Sequence, residues 1–390
     1  MNSIYLKKFL NIFNYIFLNI LLFFAKRGKN KIISKTLLLI RIDSIGDYVL
    51  FRNFLEIIKK DDKYGNYKIT LCGNIIWQNL AQTLDKEYVD NFIWINRKTF
   101  YSDIGYKFRI LREVYKAGYE TVIDTTYSRE ILYSDALVRA SNSKRKIGSS
   151  GSQDKHVTWK RKLLTDKFYT KLVPASSDTL FEFSRNREFF EIVLDKKVEI
   201  SCPVINPLKL PKFEGLPGKF CVVFPGSNDV KRRWNAFNYA EICKHLIDKF
   251  GLQVVIPAGG GEKYIADEIK KNVKSKKLLD LSGKCSLTEL AAIISDSEFL
   301  ISNDTAAVHI AAAVGKRFLC ISNGSYLGRF LPYPKNIFSE ANYIFPDEVI
   351  KELETSKSTM SKWQLNSPFD INSITVDKVK KKIEDIFGDT

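Results

Sequence analysis

From Thr36 onward, apolar and polar positions along the chain switch repeatedly between two spacings. TLLLIRI (36–42) is an almost unbroken apolar run of the length of a strand buried on both faces. The turn DSIGD (43–47) follows, then YVLFRNFLEIIKK (48–60), whose apolar residues recur at helical spacing before a basic end. KITLCG (68–73) and TVIDTT (121–126) read as further strands, the second after the helical pattern FRILREVYKAG. A second series begins at FCVVFPG (220–226) and continues with FNYAEICKHLIDKFG (237–251), a helix closed by Gly251. LQVVIPAGGG (252–261) reads as a strand with a glycine turn. SLTELAAIISDS (286–297) reads as a helix opened by a Ser286–Glu289 capping box. FLISND (299–304), TAAVHIAAAVG (305–315) and RFLCIS (317–322) add a strand, a small-residue helix and a strand, and ITVDKVKKKIEDIF (374–387) a last amphipathic helix. Such β–α alternation predicts doubly wound parallel sheets. Between the two series, residues 201–219 hold four of the eleven prolines, which break helices and central strands, so this stretch reads as a linker.

One segment stands outside this pattern. Phe9 to Ala25 is apolar except for Asn11, Asn14 and Asn19, and is flanked by Lys7, Lys8, Lys26, Arg27, Lys29 and Lys31. Its 17 residues sit at the lower end of what crosses about 30 Å of hydrocarbon. No small-residue cleavage site follows it, so a removed signal peptide is not expected. The expectation is membrane association, spanning or lying flat, with the body on the cytoplasmic side under the heavier positive flank. The competing reading is an extra helix packed on the globular body.

Composition narrows the function classes. The 390 residues are 45% hydrophobic and 27% charged, which is ordinary for a two-domain globular chain. Six scattered cysteines without a CxxC pair argue against a zinc site and a disulfide framework. The net charge of +17 is concentrated: residues 1–60 contribute +8 and residues 141–172 contribute +7. Two local patches point to two local anionic surfaces or ligands rather than to a nucleic-acid coat.

Open α/β sheets bind ligands at the C-terminal ends of their strands, so the polar turns there are the candidate sites. Asp47, after Ser44 and Gly46, reads either as a helix N-cap or as a carboxylate acting as a general base. In PGSNDVKRRW (225–234), amides around Gly226 and Ser227 with Lys231 or Arg232 suit phosphate oxygens; the bland alternative is a solvated basic loop. The glycines 259–261 lead to Glu262, a contact for a base or ribose or simply a first-turn acid. Ser302–Thr305 precedes an Ala-rich helix capped by Asn303 or Asp304, whose N-terminus suits an anion. His309 reads as structural. GxGxxG, P-loop, GxSxG, HExxH and DxD patterns are absent, so nothing here requires a cofactor or a metal.

At these turns the sequence resembles glycosyltransferase family 9, the bacterial heptosyltransferases. LLLIRIDSIGDYVLFRNFLEIIK resembles that family's opening strand–SxGD–helix, and FPGSNDVKRRWNAFNYAEICKHL its HPG…K-R-W segment. LSGKCSLTELAAIISDSEFLISNDTAAVHIAAAVGK resembles its closing signature. Phe224 replaces the family's His before Pro-Gly, and Ala306 replaces its small Gly. The resemblance implies a GT-B architecture, two Rossmann-like domains facing a cleft, here with an N-terminal hydrophobic helix. The expected division is a membrane-associating segment 1–35, an acceptor domain 36–200, a linker 201–219, a nucleotide-sugar domain 220–345 and a helical tail 346–390. It implies inverting, metal-independent transfer, most readily of heptose from ADP-heptose to a lipopolysaccharide core or related lipid-linked glycan. On this reading Asp47 is the base, Asp304 lies near the donor sugar, Thr305 and Ala306 supply amides to the diphosphate, and Glu262 meets the nucleotide. Ser44, Gly46, Lys144, Arg145 and Lys146 are the expected acceptor contacts. The expected location is the inner face of the inner membrane, with no nucleic-acid partner. The alternatives are another nucleotide sugar, such as a UDP-hexose, and a non-enzymatic membrane- or polyanion-binding protein.

Overall fold

The computed structural model describes residues 2–151, 155–355 and 367–388. The chain divides into two compact units, one of residues 1–178 and 184–199, the other of residues 179–183 and 200–390.

The first unit opens with helix α1 (Asn2–Ala25). Strands β1 (Ile33–Arg41), β2 (Lys68–Asn74), β3 (Asn91–Ile95), β4 (Tyr119–Asp124), β5 (Arg145–Ser149) and β6 (Lys171–Val173) follow. Helices α2 (Ile45–Val49), α3 (Asn53–Lys59), α4 (Gln78–Leu84), α5 (Arg97–Ser102), α6 (Ile104–Ala117), α7 (Ser134–Ala140) and α8 (Lys155–Leu164) connect them, and α9 (Glu182–Leu194) follows β6. All six strands are parallel, in the order β3-β2-β1-β4-β5-β6. The apolar run of β1 is central because it must be covered on both sides: Leu37 to Ile40 are fully buried. The expected helix over 48–60 is two pieces, since Leu50–Arg52 turn out of helical bonding between α2 and α3.

The second unit holds β7 (Phe220–Phe224), β8 (Gln253–Ile256), β9 (Leu278–Asp280), β10 (Phe299–Asn303), β11 (Phe318–Ile321) and β12 (Ala341–Ile344). Its helices are α10 (Ala236–Phe250), α11 (Lys263–Val273), α12 (Leu287–Asp296), α13 (Ala306–Ala313), α14 (Asp347–Thr355) and α15 (Val376–Gly388). The parallel order β12-β11-β10-β7-β8-β9 repeats that of the first sheet. Both are the Rossmann order, in which strand direction of winding reverses between the first and fourth strands of each unit. The core of this sheet is lined by Val223, Val254, Ile301 and Leu319 under α10 and α15.

Helix α1 packs Leu18, Leu22 and Ala25 into the core shared with α6 and α7. Among the described residues no helix is long and apolar enough to cross a membrane, so of the two forms left open for residues 9–25, spanning and lying flat, spanning is not supported.

Candidate functional site

The switch point lies between β1 and β4 in the first unit and between β7 and β10 in the second. The candidate turn of the first unit leaves β1, and those of the second leave β7, β8 and β10.

The turn after β1 is built around a buried cation. Arg41 closes the apolar strand yet is fully buried. Its Nη1 donates to the Thr125 carbonyl and to Asn186 Oδ1, both at 3.1 Å. Its Nε lies 3.2 Å from Asp43 Oδ2, and Nη2 lies 3.7 Å from Asp47 Oδ1 and donates to the Asp47 carbonyl at 3.3 Å. The turn's other carbonyls are held as well. Asn74 Nδ2 and Trp77 Nε1 each donate to the Asp43 carbonyl at 3.1 Å, and Arg97 donates to that of Ile42 at 3.1 Å. Arg97 is itself paired with both carboxylate oxygens of Glu130. Asp47 is not the N-cap of α2. Ser44 occupies that place without a side-chain cap bond, and Asp47 sits in the first turn with 15% of its side chain exposed. Its carboxylate is thus reachable from solvent and backed by a guanidinium. Ser44 is exposed and Gly46 half-buried in the same turn.

Lys144, Arg145 and Lys146 are not gathered with this turn. Arg145 and Lys146 pair with Thr121 and Val122 at the start of β4, the opposite end of a parallel sheet from Asp47. Arg145 is bound to Glu120.

The site in the second unit is more closely knit. Asn303, at the end of β10, is fully buried and donates to the Pro225 carbonyl at 2.6 Å. Its Oδ1 accepts from the Trp234 amide and the Tyr239 hydroxyl. Asn303 therefore fastens the β7 turn to the end of β10 rather than capping α13. The cap is Thr305, whose Oγ1 accepts from the Ala307 amide at 3.2 Å. Arg232 reaches across to Asp304, with Nη1 3.3 Å from its carbonyl and 3.5 Å from Oδ2. Lys231 is exposed and its backbone is tied to Asp229 and Asn323, so Arg232 is the cation directed into the site. Arg233, not foreseen, donates from Nε to the Ser227 carbonyl at 2.5 Å and lies 3.7 Å from Glu262 Oε1. Gly226 touches Glu262: a Cβ there would come within 2.0 Å of Glu262 Oε2.

Four buried side-chain atoms at this end of the sheet have no hydrogen-bond partner: Ser227 Oγ, Arg232 Nε, Glu262 Oε1 and Asp304 Oδ2. Buried polar atoms are ordinarily paired, so such a cluster marks a place for a polar ligand. Burial pushes the Asp304 carboxyl above its usual range, and Arg232 acts against that shift. His309, on α13, is a core residue. Burial drives its imidazole down to about 3, and Nδ1 lies 2.8 Å from the Tyr333 hydroxyl.

Arg41 had a sequence signal, a cation at the end of a buried apolar run. Asn303 and Arg233 had none that separated them from an ordinary cap or a solvated basic loop.

The chain is similar over 280 residues to lipopolysaccharide heptosyltransferase 3 of Escherichia coli, 24% identical, covering 69% of this chain and 78% of that one. It is similar to lipopolysaccharide heptosyltransferase 1 of Campylobacter coli, 22% identical, covering 90% and 98%. In fold it is similar to the crystal structure of a family 9 glycosyl transferase from Veillonella parvula, with a TM-score of 0.66, 17% identity and coverage of 92% and 98%. E. coli heptosyltransferase WaaC with ADP-2-deoxy-2-fluoro heptose gives a TM-score of 0.66 at 17% identity, covering 90% and 99%. Residues 107–344, more than half of the chain, match the model of glycosyltransferase family 9 (heptosyltransferase), and the chain belongs to that family.

Proposed function

We propose that this glycosyltransferase moves heptose from ADP-heptose to the core of a lipopolysaccharide or a related lipid-carried glycan, with inversion at the anomeric carbon and Asp47 as general base. The observation that carries the reading is the set of buried side-chain atoms without a hydrogen-bond partner on Ser227, Arg232, Glu262 and Asp304, two of them in long ion pairs with Arg232 and Arg233, near the Gly226 turn. The names of the curated relatives and the ADP-sugar in the WaaC structure support the choice of donor.

In the proposed reaction Asp47 takes the proton of the acceptor hydroxyl as its oxygen bonds to the anomeric carbon. The bond from that carbon to the diphosphate breaks, and its electron pair leaves with the nucleoside diphosphate. Arg232, the Gly226–Ser227 amides and the N-terminus of α13 at Thr305 and Ala306 meet the charge that develops. No metal is assigned, because these groups supply the positive potential. Asp304 orients the donor sugar and Glu262 the nucleoside. Ser44 and Gly46 border the acceptor hydroxyl, and the basic segment Lys144–Lys146 meets anionic groups of the lipid on which the acceptor is carried. The enzyme works at the inner face of the membrane.

Release of nucleoside diphosphate is to be measured across a donor panel led by ADP-heptose, with lipopolysaccharide extract as acceptor. Wild-type turnover with ADP-heptose and a fall of about 10²–10⁴-fold in Asp47→Asn are expected. An unimpaired Asp47→Asn enzyme rules out the base, and turnover with a UDP-hexose alone replaces the donor while leaving the reaction class.

A further inference from the structure

Helix α1 is apolar on two opposite faces, and only one of them is used. Leu18, Leu21, Leu22 and Ala25 are buried against the first unit. Phe13, Ile16, Ile20, Phe23 and Phe24 are 44–62% exposed. At 3.6 residues per turn these five fall within an arc of about 100°, opposite the buried set. The helix is also fixed by polar bonds. The Tyr15 hydroxyl donates to the Leu164 carbonyl at 3.1 Å, Arg139 Nη2 to Asn19 Oδ1 at 2.5 Å, and Asn14 to the Tyr101 hydroxyl at 3.3 Å. The exposed stripe is therefore held outward by the fold. The bond to Leu164 holds the end of α8 against α1, and α8 carries exposed Trp159 and Leu163 of its own. Large apolar side chains exposed singly are ordinary, but a contiguous set of this size marks an interaction surface.

The charges beside this stripe say what it meets. Just past the end of α1, exposed Arg27 folds back on the stripe, its guanidinium 4.9 and 4.7 Å from the ring centres of Phe23 and Phe24. Lys29 and Lys31 follow it, exposed, and α8 presents Lys160 and Lys162 around Trp159. Behind the end of α1, Lys26 donates to the Arg139 carbonyl at 3.4 Å, and Lys146 lies within the electrostatic reach of both. Burial, then Lys26 and Arg139, press the Lys146 ammonium down to about 8. Arg139 is 8% exposed and its Nη1 has no hydrogen-bond partner. Aromatic and aliphatic groups with cations at their margin match the boundary between acyl chains and anionic head groups. A second copy of the same face would set these cations against one another.

We infer that the exposed faces of α1 and α8 dock the first unit flat on an anionic phospholipid bilayer, with Phe13, Ile20, Phe23 and Trp159 at acyl depth and the exposed cations Arg27, Lys29, Lys160 and Lys162 at the head-group phosphates. The inference shares with the proposed function only the membrane-borne acceptor, and its test uses no sugar donor, so either one fails without the other. Flotation of the full chain is to be measured on vesicles of phosphatidylcholine alone and of phosphatidylcholine mixed with phosphatidylglycerol. Binding to the anionic vesicles alone or in large excess is expected. The exposed-face variant Ile16→Gln/Ile20→Gln/Phe23→Gln should weaken it by about tenfold or more. Arg27→Glu/Lys29→Glu/Lys160→Glu/Lys162→Glu should weaken it by more than about a hundredfold. Both variants change only exposed side chains, and an unchanged melting temperature confirms that they fold. Equal flotation of wild type and variants overturns the inference. So does equal binding to neutral and anionic vesicles, or a stripe variant that turns an oligomer into a monomer in size-exclusion chromatography while flotation stays the same.

Discussion

Arg41 places a full positive charge where the strand offers only hydrocarbon, and its polar contacts with Thr125, Asn186, Asp43 and Asp47 account for its being there. A guanidinium is planar and serves several acceptors in fixed directions; an ammonium cannot copy that arrangement. Arg41→Lys keeps the charge but gives up the simultaneous hydrogen bonds to Thr125 and Asn186 and the ion pair with Asp43. The expected outcome is a loss of about tenfold or more in kcat with little change in donor KM, since misplacing a reacting group by a fraction of a bond length is costly. A wild-type kcat in a folded Arg41→Lys protein, measured by diphosphate release, removes Arg41 from positioning Asp47. Gly226→Ala tests the other unit. Its Cβ would fall 2.0 Å from Glu262, so the carboxylate or the turn has to move. Donor KM should rise by about tenfold, with a smaller change in kcat, and donor titrations of the variant read this directly.

At the scale of elements, what the sequence displays is whatever a local pattern controls. The Ser286–Glu289 capping box is one such case: the Glu289 amide donates to Ser286 Oγ at 3.3 Å, and Glu289 Oε2 accepts from the Ser286 amide at 2.7 Å. Ser286→Ala should cost about 1 kcal/mol, a fall of about 2–4 °C in the melting of a unit this size. An unchanged melting temperature would mean that α12 is held by packing alone. The strands β1, β7 and β10 were equally legible, because each is an apolar run bounded by a turn. Strands β6, β9 and β12 were not, being three or four residues long and partly exposed. The break between α2 and α3 escaped notice because Leu50–Arg52 carry no Gly or Pro; Leu50, Phe51 and Arg52 are all buried there, and tertiary packing overrides the helical pattern. For α1 the composition announced an apolar helix. Which of its faces the body covers depends on α6 and α7, far along the chain, and no local pattern holds that information.

For the whole molecule, each unit contains a fully buried group whose proton affinity folding shifts far from its usual value, Asp124 in the first and His309 in the second, and these two respond to acid in opposite directions. In the first, Asp124 is buried under the Tyr169 hydroxyl, which donates to Oδ2 at 3.0 Å, and burial followed by Asp135 raises its carboxyl to about 6 from 3.8. The folded state then holds the proton more tightly than the unfolded one. The stabilisation is complete below the unfolded value and disappears as pH rises through about 6. In the second, burial lowers His309 from 6.5 to about 3. The unfolded state takes up the proton first, so this contribution is complete above 6.5 and shrinks as pH falls toward 3. Lowering the pH from about 7 to about 5 should therefore weaken the second unit by about 2 kcal/mol and strengthen the first by about 1 kcal/mol from these groups alone. Amide hydrogen exchange followed peptide by peptide reads the units separately, without requiring two resolved melting transitions. Many surface groups titrate over the same range, so the difference between wild type and variant is the informative quantity. Asp124→Asn should erase the gain in protection of β1 and β4 at pH 5 relative to wild type, and His309→Asn should erase the loss in β10 and β11. If both variants track wild type across this range, neither buried group governs the acid response, and the opposition between the units is lost with it.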